Sequence, residues 1–296
     1  MDERDWLAQR FQEHRPRLRA VAYRMLGSTS EADDAVQEAW IRLSRSNAGE
    51  IDNLEAWLVT VVGRVALNML RSRKRRREEP LDAQHLPDPI VDRAEEGIDP
   101  EHEALLADGV GLALLVVLET LTPAERLAYV LHDMFSVPFE EIGAILNHSP
   151  EAARQLASRA RRRIRTSHTT PDEGAATHQE EEVVEAFLAA ARDGDFDALL
   201  AVLDPDIVER VDTGSGTIVE VRGSEDVARR AMAVSQPGLV GLPALINGAP
   251  GWVSVLDGEL YAIAALTVHN GRITTMDILL DPARLARLDL TDYFDS

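Results

Sequence analysis

Two short helices joined by a tight turn are predicted for residues 138–165, PFEEIGAILNHSPEAARQLASRARRRIR. In the first helix Phe139, Ile142 and Leu146 recur at the spacing that places apolar side chains on one helix face, towards a core. Asn147 begins the turn, and asparagine tolerates the left-handed backbone conformation that such turns use. The segment therefore has the pattern of a helix-turn-helix.

The second helix has an apolar face and a basic face. Ser149 is a good N-cap, and Pro150 suits the first helical position, where its missing N–H costs nothing. The basic face contains Arg154, Gln155, Ser158, Arg159 and Arg162. Such a helix fits the major groove of DNA, where guanidinium groups bind guanines and phosphates. The alternative is an ordinary surface helix pair with solvated arginines. No acidic residue occurs between Ala152 and Pro171 to neutralise these arginines, which favours nucleic acid.

Composition narrows the class of protein. The chain has 296 residues, enough for about two domains. No apolar run approaches the roughly 18 residues of a membrane span, and the N-terminus lacks the pattern of a signal peptide. Cysteine is absent, which excludes disulfides and thiol-ligated metals. We therefore expect a cytoplasmic protein with no membrane partner, no metal site and no cofactor.

The charge is distributed unevenly. The net charge is −20, which is awkward for a protein that binds phosphates. Residues 180–296 contain 8 basic and 21 acidic side chains, a net charge of −13, so residues 1–179 carry only −7. Within that first part, Arg64 to Arg77 contains seven basic residues and no acid. The acidic excess therefore lies mainly in the C-terminal part, away from the predicted DNA-binding segments.

Helical patterns fill the first half of the chain. The first helix is expected to end at Gly27, Ser30 to cap the second, and a third to begin at Leu54. Thr122 and Pro123 mark a further helix start, as cap and first residue. Residues 80–102 are acidic and contain several prolines, and residues 167–179 are polar, so both are predicted to be linkers. The predicted domains are then residues 1–79, 103–166 and 180–296.

The C-terminal part changes to strands after Asp204. An alternating pattern runs from Val253 to Val268 and is interrupted by Asp257-Gly258. Asn270-Gly271 then precedes another apolar run. These dipeptides between alternating runs are strong hairpin signals. Helices followed by an antiparallel sheet indicate a small α+β domain.

Two further groups of polar side chains lie on the first three helices. The second helix presents Asp33, Asp34, Gln37 and Glu38 away from its apolar face. Like charges one turn apart destabilise a helix slightly, so a partner should benefit from them, although a solvated face is the alternative. On one face of the third helix lie three side chains that could line a nucleic-acid groove: Arg64, Asn68 and Arg71. Trp57 lies near its start, where core packing is the alternative role.

These segments resemble a known family. RAVAYRMLGSTSEADDAVQEAWIRL (19–43), NLEAWLVTVVGRVALNMLRSRKRR (53–76) and LTPAERLAYVLHDMFSVPFEEIGAIL (121–146) resemble sigma domains two and four of the extracytoplasmic-function (ECF) class of bacterial RNA polymerase sigma factors. Residues 244–288 resemble the SnoaL-like extension of one subgroup. The resemblance implies a multidomain protein with two all-α sigma domains, the second a helix-turn-helix, followed by a cone-shaped α+β SnoaL-like domain.

The resemblance also implies roles for particular residues. The surface that docks on the clamp helices of the largest subunit of core RNA polymerase is matched by Asp33, Asp34, Gln37 and Glu38. The loop and helix that receive the melted minus-ten element of promoter DNA are matched by Asn47, Trp57, Arg64, Asn68 and Arg71. The recognition helix for the minus-thirty-five element is matched by Ser149, Arg154, Gln155, Ser158, Arg159 and Arg162. No residue is expected to catalyse a reaction.

Two motifs of the subgroup are only approximated here. Its Asp-Gly-Gly-Gly-Lys stretch corresponds to Asp212-Thr213-Gly214-Ser215-Gly216-Thr217, which lacks the lysine. Its Leu-Pro-Glu-Pro linker motif corresponds to Leu86-Pro87-Asp88-Pro89. We expect Asp212, Gly214, Gly216 and the linker motif to be regulatory, through intramolecular contacts between the C-terminal domain, the linker and the sigma domains.

Three alternatives remain open at this stage. The C-terminal domain could retain isomerase- or cyclase-like activity, with candidate groups Asp212, Tyr261, His269 and Asp277. It could bind a small-molecule ligand without catalysis, because cone folds are concave. The whole chain could instead be a ligand-responsive helix-turn-helix regulator that acts without polymerase, but this leaves residues 30–77 unexplained.

Overall fold

The structure is a computed structural model that describes residues 3–46, 51, 53–76, 85–94, 98–99, 102, 105–106, 111–166, 178–288 and 290. Asn47 lies outside the described residues. The chain forms two compact units, and each is described by itself. The first comprises Met1–Leu81, Pro100–Asp108 and Leu114–Thr170, and the second comprises Asp82–Asp99, Gly109–Ala113 and Pro171–Ser296.

The first unit begins with three packed helices, α1 (Glu3–Leu26), α2 (Thr29–Arg45) and α3 (Leu54–Arg76). Gly27 turns the chain after α1 with a positive φ of 65°. The next residue, Ser28, is extended and occupies the N-cap of α2. The prediction that Ser30 caps this helix is therefore wrong, because the turn at Gly27 is so tight that α2 starts earlier.

α2 and α3 each bury an apolar face. Their buried apolar residues include Val36, Ala39, Leu43, Leu58, Val61 and Val65. Trp40 is half-buried, and its ring lies 5.1 Å from that of Phe11 on α1. Burial of these side chains is the main contribution to the stability of the bundle, at about 1.5–3 kcal/mol for each large apolar residue.

A second group of helices completes the first unit. Its elements are α4 (Leu112–Glu119), α5 (Pro123–Tyr129), a π-helical turn (Val130–Met134), α6 (Phe139–Leu146) and α7 (Pro150–Thr166). Asn147 adopts the predicted left-handed conformation, with φ 57° and ψ 45°. The turn passes so close to α6 that a Cβ atom at Gly143 would lie 2.8 Å from the carbonyl oxygen of His148. The helix-turn-helix is therefore confirmed.

The two helical groups of the first unit pack directly against each other. A Cβ atom at Gly63 on α3 would lie 3.2 Å from Leu131 Cδ1, so any larger residue would require the Leu131 side chain to shift. The buried Arg126 donates from Nη1 to the carbonyl oxygen of Met25 at 2.9 Å. A short apolar seam and a buried arginine thus join α1 and α3 to the segment before the helix-turn-helix.

The second unit is a seven-stranded sheet covered by helices. The strands are β1 (Val91–Arg93), β2 (Leu203–Asp212), β3 (Ile218–Arg222), β4 (Leu239–Ile246), β5 (Ala249–Leu256), β6 (Glu259–His269) and β7 (Arg272–Leu279). Their order is β1-β4-β5-β6-β7-β2-β3, antiparallel except for β2 and β7. The helices are α8 (His178–Asp193), α9 (Phe196–Val202), α10 (Ser224–Val234) and α11 (Pro282–Leu285). The expected architecture, helical domains that include a helix-turn-helix followed by an α+β domain, is confirmed.

Asparagine–glycine and aspartate–glycine turns join the central strands. The predicted hairpins at Asp257-Gly258 and Asn270-Gly271 are present, with positive φ at all of these residues. Asn247-Gly248 forms an equivalent turn between β4 and β5, which the sequence analysis did not identify. Two consecutive positive φ angles match the right-handed twist of the flanking strands, so these dipeptides fix the register of the meander.

Part of the predicted linker belongs to this sheet. β1 pairs with β4 at the sheet edge, with Val91 opposite Ile246 and Arg93 opposite Ala244. The three-residue strand has no apolar alternation of its own, so the partner strand determines its conformation. Across the described part of the chain, no helix has the length and apolar composition needed to cross a membrane.

Candidate functional site

The polar face of α7 is open to solvent. Arg154, Gln155, Ser158, Arg159 and Arg162 are all exposed. The hydroxyl of Ser149 accepts a hydrogen bond from the amide of Ala152 at 3.2 Å and so caps the helix. The Arg154 guanidinium lies 5.2 Å from the centre of the Phe139 ring, which restrains one cation of this face.

Other arginines of α7 are neutralised by acids from neighbouring elements. Arg161 donates to Asp133 at 2.5 Å, and Arg163 Nη1 lies 3.2 Å from Glu125 Oε2. The local sequence, which lacks acids, does not reveal these partners. Arg159 on the exposed face also lies 3.8 Å from Glu125 Oε1. The face nevertheless stays positive, because its three arginines share it with no acid beyond the first turn of α7.

Glu125 is the buried end of a capping box at the start of α5. Its amide donates to Thr122 Oγ1 at 3.3 Å, and its carboxylate accepts from the Thr122 amide at 3.1 Å. Burial opposes ionisation of Glu125. The hydrogen bonds from Thr122 and the charges of Arg163 and Arg159 outweigh it, so its pKa is lowered. The predicted cap at Thr122 is confirmed, and through Glu125 it links α5 to α7.

Thr122→Ala is expected to destabilise this region by about 1 kcal/mol, because the cap is lost and the buried carboxylate loses a donor. The lowered pKa of Glu125 means that its stabilisation is complete at neutral pH. That stabilisation is lost as the pH falls below the pKa that Glu125 has in the unfolded chain and then through its lower pKa in the folded protein. Native-state hydrogen exchange of α5 measures both effects. The exposed Thr120→Ala is the control, and equal exchange in the two variants would contradict the prediction.

The acidic face of α2 is partly engaged within the domain. Asp34 and Gln37 are exposed. Asp33 forms an ion pair with Arg19 at 2.9 Å, and Glu38 forms one with Arg42 at 2.8 Å. A cavity of about 300 Å³ opens beside this face and is lined by Asp33, Gln37, Arg15, Phe11 and Trp40 among others. The structure thus places the four predicted residues on one accessible face next to a cleft.

The predicted DNA-binding residues of α3 share one face. Arg64, Asn68 and Arg71 are exposed at successive turns. Trp57 is half-buried at the start of the helix. Arg73 faces elsewhere and pairs with Glu31 of α2, so it fixes the packing of the bundle.

The motif around Asp212 contacts the linker motif within the second unit. Asp212 is fully buried and accepts hydrogen bonds from the amides of Leu86 at 2.9 Å and Gly214 at 3.0 Å. The Arg284 guanidinium binds Asp212 Oδ2 at 2.8 Å and Asp88 Oδ1 at 2.6 Å. The structure therefore brings together two segments that are 126 residues apart.

The glycines of this motif have a steric role. Gly214 has φ 78° and Gly216 has φ 81°, both in the left-handed region. A Cβ atom at Gly214 would lie 2.6 Å from Asp281 Cγ. Asp281 in turn caps α11, which carries Arg284. No sequence pattern identified Arg284. Its guanidinium places a cation beside Asp212, in a motif that lacks the lysine of the subgroup's Asp-Gly-Gly-Gly-Lys stretch.

The linker is held at further points. The side-chain oxygen of Asn247 accepts a hydrogen bond from the backbone amide of Ile90 at 3.1 Å. The backbone amide of Asn247 donates to the Ile90 carbonyl at 2.7 Å. Leu86, Pro87, Pro89 and Ile90 are buried. Residues 86–93 thus form a continuous strap from the Asp212 site to the β1–β4 pair.

The groups nominated for catalysis have other engagements. Asp277 accepts two hydrogen bonds from Arg210, at 2.6 and 3.1 Å. Burial raises its pKa, against the attraction of Arg210. His269 is exposed at a hairpin end, and of the four nominated residues only Tyr261 lines the cavity of this domain.

That cavity has a volume of about 570 Å³ and contains an acid that the sequence analysis missed. Glu209 is buried in its wall and accepts from Arg230 Nε at 2.6 Å. The period of two along β2 could have identified Glu209. It lies two residues from both Ile207 and Val211, which are buried, and so shares their core-facing side of the strand. Among the residues that the structure describes, no group of three or more acids and histidines could hold a metal ion.

Two domains of the chain match families defined for bacterial transcription initiation. Residues 10–76 match Sigma-70 region 2, and residues 111–164 match Sigma-70, region 4. These matches coincide with the three-helix bundle and the helix-turn-helix. The two matched domains, in this order along one chain, therefore define a sigma-type promoter-specificity protein.

Similar proteins extend this likeness to nearly the whole chain. The probable ECF RNA polymerase sigma factor SigI of Mycobacterium tuberculosis is 35% identical over 286 residues, 96% of this chain and 97% of that protein. The ECF RNA polymerase sigma factor SigJ of the same organism is 37% identical, over 92% of this chain and 91% of that protein. The crystal structure of SigJ superposes with a TM-score of 0.75, covering 94% of this chain and 98% of that chain at 33% identity.

The chain belongs to the ECF RNA polymerase sigma factors. It is a subunit that binds core RNA polymerase and directs it to promoters, as the resemblance predicted. The likeness to SigI and SigJ includes the C-terminal domain, so the domain organisation is shared with these relatives.

Proposed function

We propose that the C-terminal domain regulates this sigma factor by holding the linker between its two DNA-binding domains. The observation that carries the proposal is the double ion pair of Arg284, which joins Asp88 of the linker to the buried Asp212. The β1–β4 pairing holds the next part of the same strap. Release of residues 86–93 is then the activating step.

The geometry of promoters gives a reason for this control. The two promoter elements are centred roughly 25 base pairs apart, about 85 Å along B-DNA at 3.4 Å per base pair. In the first unit the three-helix bundle and the helix-turn-helix group pack together through Gly63 and Arg126. They must separate to reach both elements at once, and a linker of about 23 residues can span at most ~80 Å when extended. Immobilising eight of those residues removes about a third of that reach.

Electrostatics acts in the same direction. Residues 180–296 carry a net charge of −13. A strongly acidic domain that is attached to cationic DNA-binding domains by the chain opposes contact with phosphates wherever it comes within about 10 Å of them at 0.1 M salt. Binding to core polymerase, which makes specific contacts, would overcome this opposition, while free protein would stay off DNA. The proposed site of action is the cytoplasm, with polymerase and DNA.

The contact surfaces follow from charge and exposure. We assign Asp33, Asp34, Gln37 and Glu38 to the clamp helices of the largest polymerase subunit, because carboxylates steer and orient a basic partner. The exposed face of α3, with Trp57 and Asn47, is assigned to the melted minus-ten element. Base flipping costs a few kcal/mol, which a cationic strand path and a stacking surface offset. The exposed face of α7 is assigned to the minus-thirty-five element.

The C-terminal domain is proposed to act without catalysis. Asp212 and Asp277 are each neutralised by an arginine and do not line the cavity. Those acids are thus used for structure and for the linker, and the general acid–base pairing that isomerase chemistry needs is not supported by their positions.

Arg284→Ala is expected to raise promoter-dependent transcription by full-length protein several-fold at limiting core polymerase. It would also raise hydrogen exchange of residues 86–93. The reason is that the substitution removes both ion pairs of the strap. Arg287→Ala is the matched control, because this exposed neighbour bonds only locally, to the Ala283 carbonyl.

A second variant separates regulation from loss of folding. Asp88→Asn weakens the linker side of the contact and leaves the Asp212–Arg284 pair intact. It should therefore activate without lowering the thermal stability of the domain. Unchanged transcription and unchanged exchange in both variants would refute the proposed regulation, while polymerase binding itself would be unaffected.

A further inference from the structure

The cavity of the C-terminal domain has the size and walls of a small-molecule site. Its volume, about 570 Å³, lies within the range of roughly 300–1,000 Å³ that is typical of ligand pockets. Its floor is apolar and rigid, because Phe187, Trp252 and Met276 are buried and the first two rings stack at 5.2 Å. α8 and α10 form its sides.

Charge is confined to a few side chains of the cavity wall. Arg192 is exposed and has no ion-pair partner among the described residues, and the guanidinium of Arg230 is shared with Glu209. The cavity wall therefore carries two guanidinium groups and one carboxylate. Burial raises the pKa of Glu209, against the attraction of Arg230. The ionised carboxylate of Glu209 is therefore disfavoured by its loss of contact with water. The cluster is complementary to an anion.

Polar groups inside the cavity are few. Trp252 Nε1 donates to the hydroxyl of Ser254 at 3.1 Å, so the indole N–H is already satisfied. Tyr261 lines the same wall and is half-buried. An occupant must then bury mostly apolar surface and present at most one or two polar atoms to the interior.

We propose that this cavity binds a small apolar carboxylic acid, with its hydrocarbon part against Phe187, Trp252 and Met276. The carboxylate lies at the guanidinium groups of Arg192 and Arg230. An apolar amine would meet two cations, and a neutral alcohol would gain nothing from them. Both are therefore poorer occupants.

The position of the cavity also connects it to the linker strap. Val211 and Leu280 line the cavity, and the residues beside them are Asp212, which holds the Leu86 amide, and Asp281, which caps α11. The Leu280 amide donates to the Asp212 carbonyl at 2.7 Å. A ligand that displaces this wall changes the anchor of the linker. This coupling rests on the proposed regulation, whereas the binding site itself does not.

The test uses the full-length protein with the apolar fluorescent anion 1-anilinonaphthalene-8-sulfonate as probe. Dodecanoate, dodecanol and dodecylamine serve as competitors below their micelle concentrations. Dodecanoate is expected to displace the probe about tenfold more effectively than the amine, since the carboxylate gains attraction from the guanidinium groups where the ammonium meets repulsion, a difference of about 1.4 kcal/mol. Equal displacement by all three, or a preference for the amine, would overturn the proposed ligand class.

Variants locate the binding. Ala231→Phe fills the cavity from α10 and should reduce dodecanoate affinity about tenfold or more by excluding its chain. Ala233→Phe adds the same group to the same helix at an exposed position outside the cavity and should leave affinity unchanged. Arg192→Glu should remove the preference for dodecanoate over dodecanol. Equal binding by the two phenylalanine variants would overturn the site.

Hydrogen exchange of residues 86–93 with and without dodecanoate then tests the coupling. A change in exchange supports it. Binding with unchanged exchange would retain the ligand site and overturn only the coupling. The regulation by the linker is tested separately by Arg284→Ala without any ligand, so the two failures can be told apart.

Discussion

Asp34→Arg/Glu38→Arg is expected to abolish retention of core RNA polymerase by this sigma factor. Asp34 is exposed, and it lies one helical turn from Glu38 on α2. Placing two cations against the basic clamp helices that we propose as the contact costs several kcal/mol, and a loss of about 4 kcal/mol corresponds to roughly a thousandfold weaker binding. Pull-down of core polymerase by tagged full-length protein measures the effect, and so does loss of promoter-dependent transcription.

Two controls make the result specific. Glu38 is paired with Arg42 within the helix, whereas Asp34 has no ion pair among the described residues. The single Asp34→Arg therefore tests the surface with less disturbance of the domain. Glu13→Arg gives the same change of charge at an exposed position on α1 and should retain polymerase. Full retention by the double variant would show that another surface of the bundle contacts polymerase.

The local structure could be predicted from the sequence wherever a few neighbouring residues determine it. Asn147 and the Ser149–Pro150 start specify the helix-turn-helix turn, because only certain residues adopt a left-handed backbone or cap a helix at no cost. Asp257-Gly258 specifies a hairpin for the same reason. At Gly27 local reasoning placed the cap two residues too late, since it did not anticipate the tight turn.

The regulatory contact could be predicted only in part. The sequence indicated Asp212 and the linker motif as separate features, through resemblance. Arg284, which joins them, has no local signature, because its role depends on a contact with Asp88 that is 196 residues distant. The same holds for β1, whose conformation depends on its pairing with β4. Long-range partners of this kind become visible only when the fold is known.

Glu209 shows a different kind of omission. Its place among the buried Ile207 and Val211 violates the apolar pattern of β2. Such violations are expected at functional or paired positions, since an unpaired buried carboxylate is costly. The sequence therefore indicates that Glu209 is unusual, but it does not indicate that Arg230 on α10 is the partner of Glu209.

Arg154→Ala/Arg159→Ala is expected to eliminate recognition of the minus-thirty-five element while polymerase binding is retained. Both side chains are exposed on the polar face of α7, and Arg154 is restrained by the Phe139 ring. Each arginine that binds a guanine contributes about 1–3 kcal/mol of discrimination. Loss of both, about 2–6 kcal/mol, therefore reduces transcription from a specific promoter by roughly 30-fold to 25,000-fold.

Salt dependence and a matched variant distinguish base recognition from general charge. Arg161→Ala removes the same charge from the same helix, but its guanidinium is engaged by Asp133, so promoter choice should be preserved. If Arg154 and Arg159 contact only phosphates, their loss weakens binding equally for all sequences and lowers the salt slope by about one unit per residue. If they contact bases, the loss is largest for the native element and the preference among altered elements disappears. Competition among promoter variants in the polymerase complex, measured at two salt concentrations, separates these outcomes. Unchanged promoter selection would assign recognition to another face of α7.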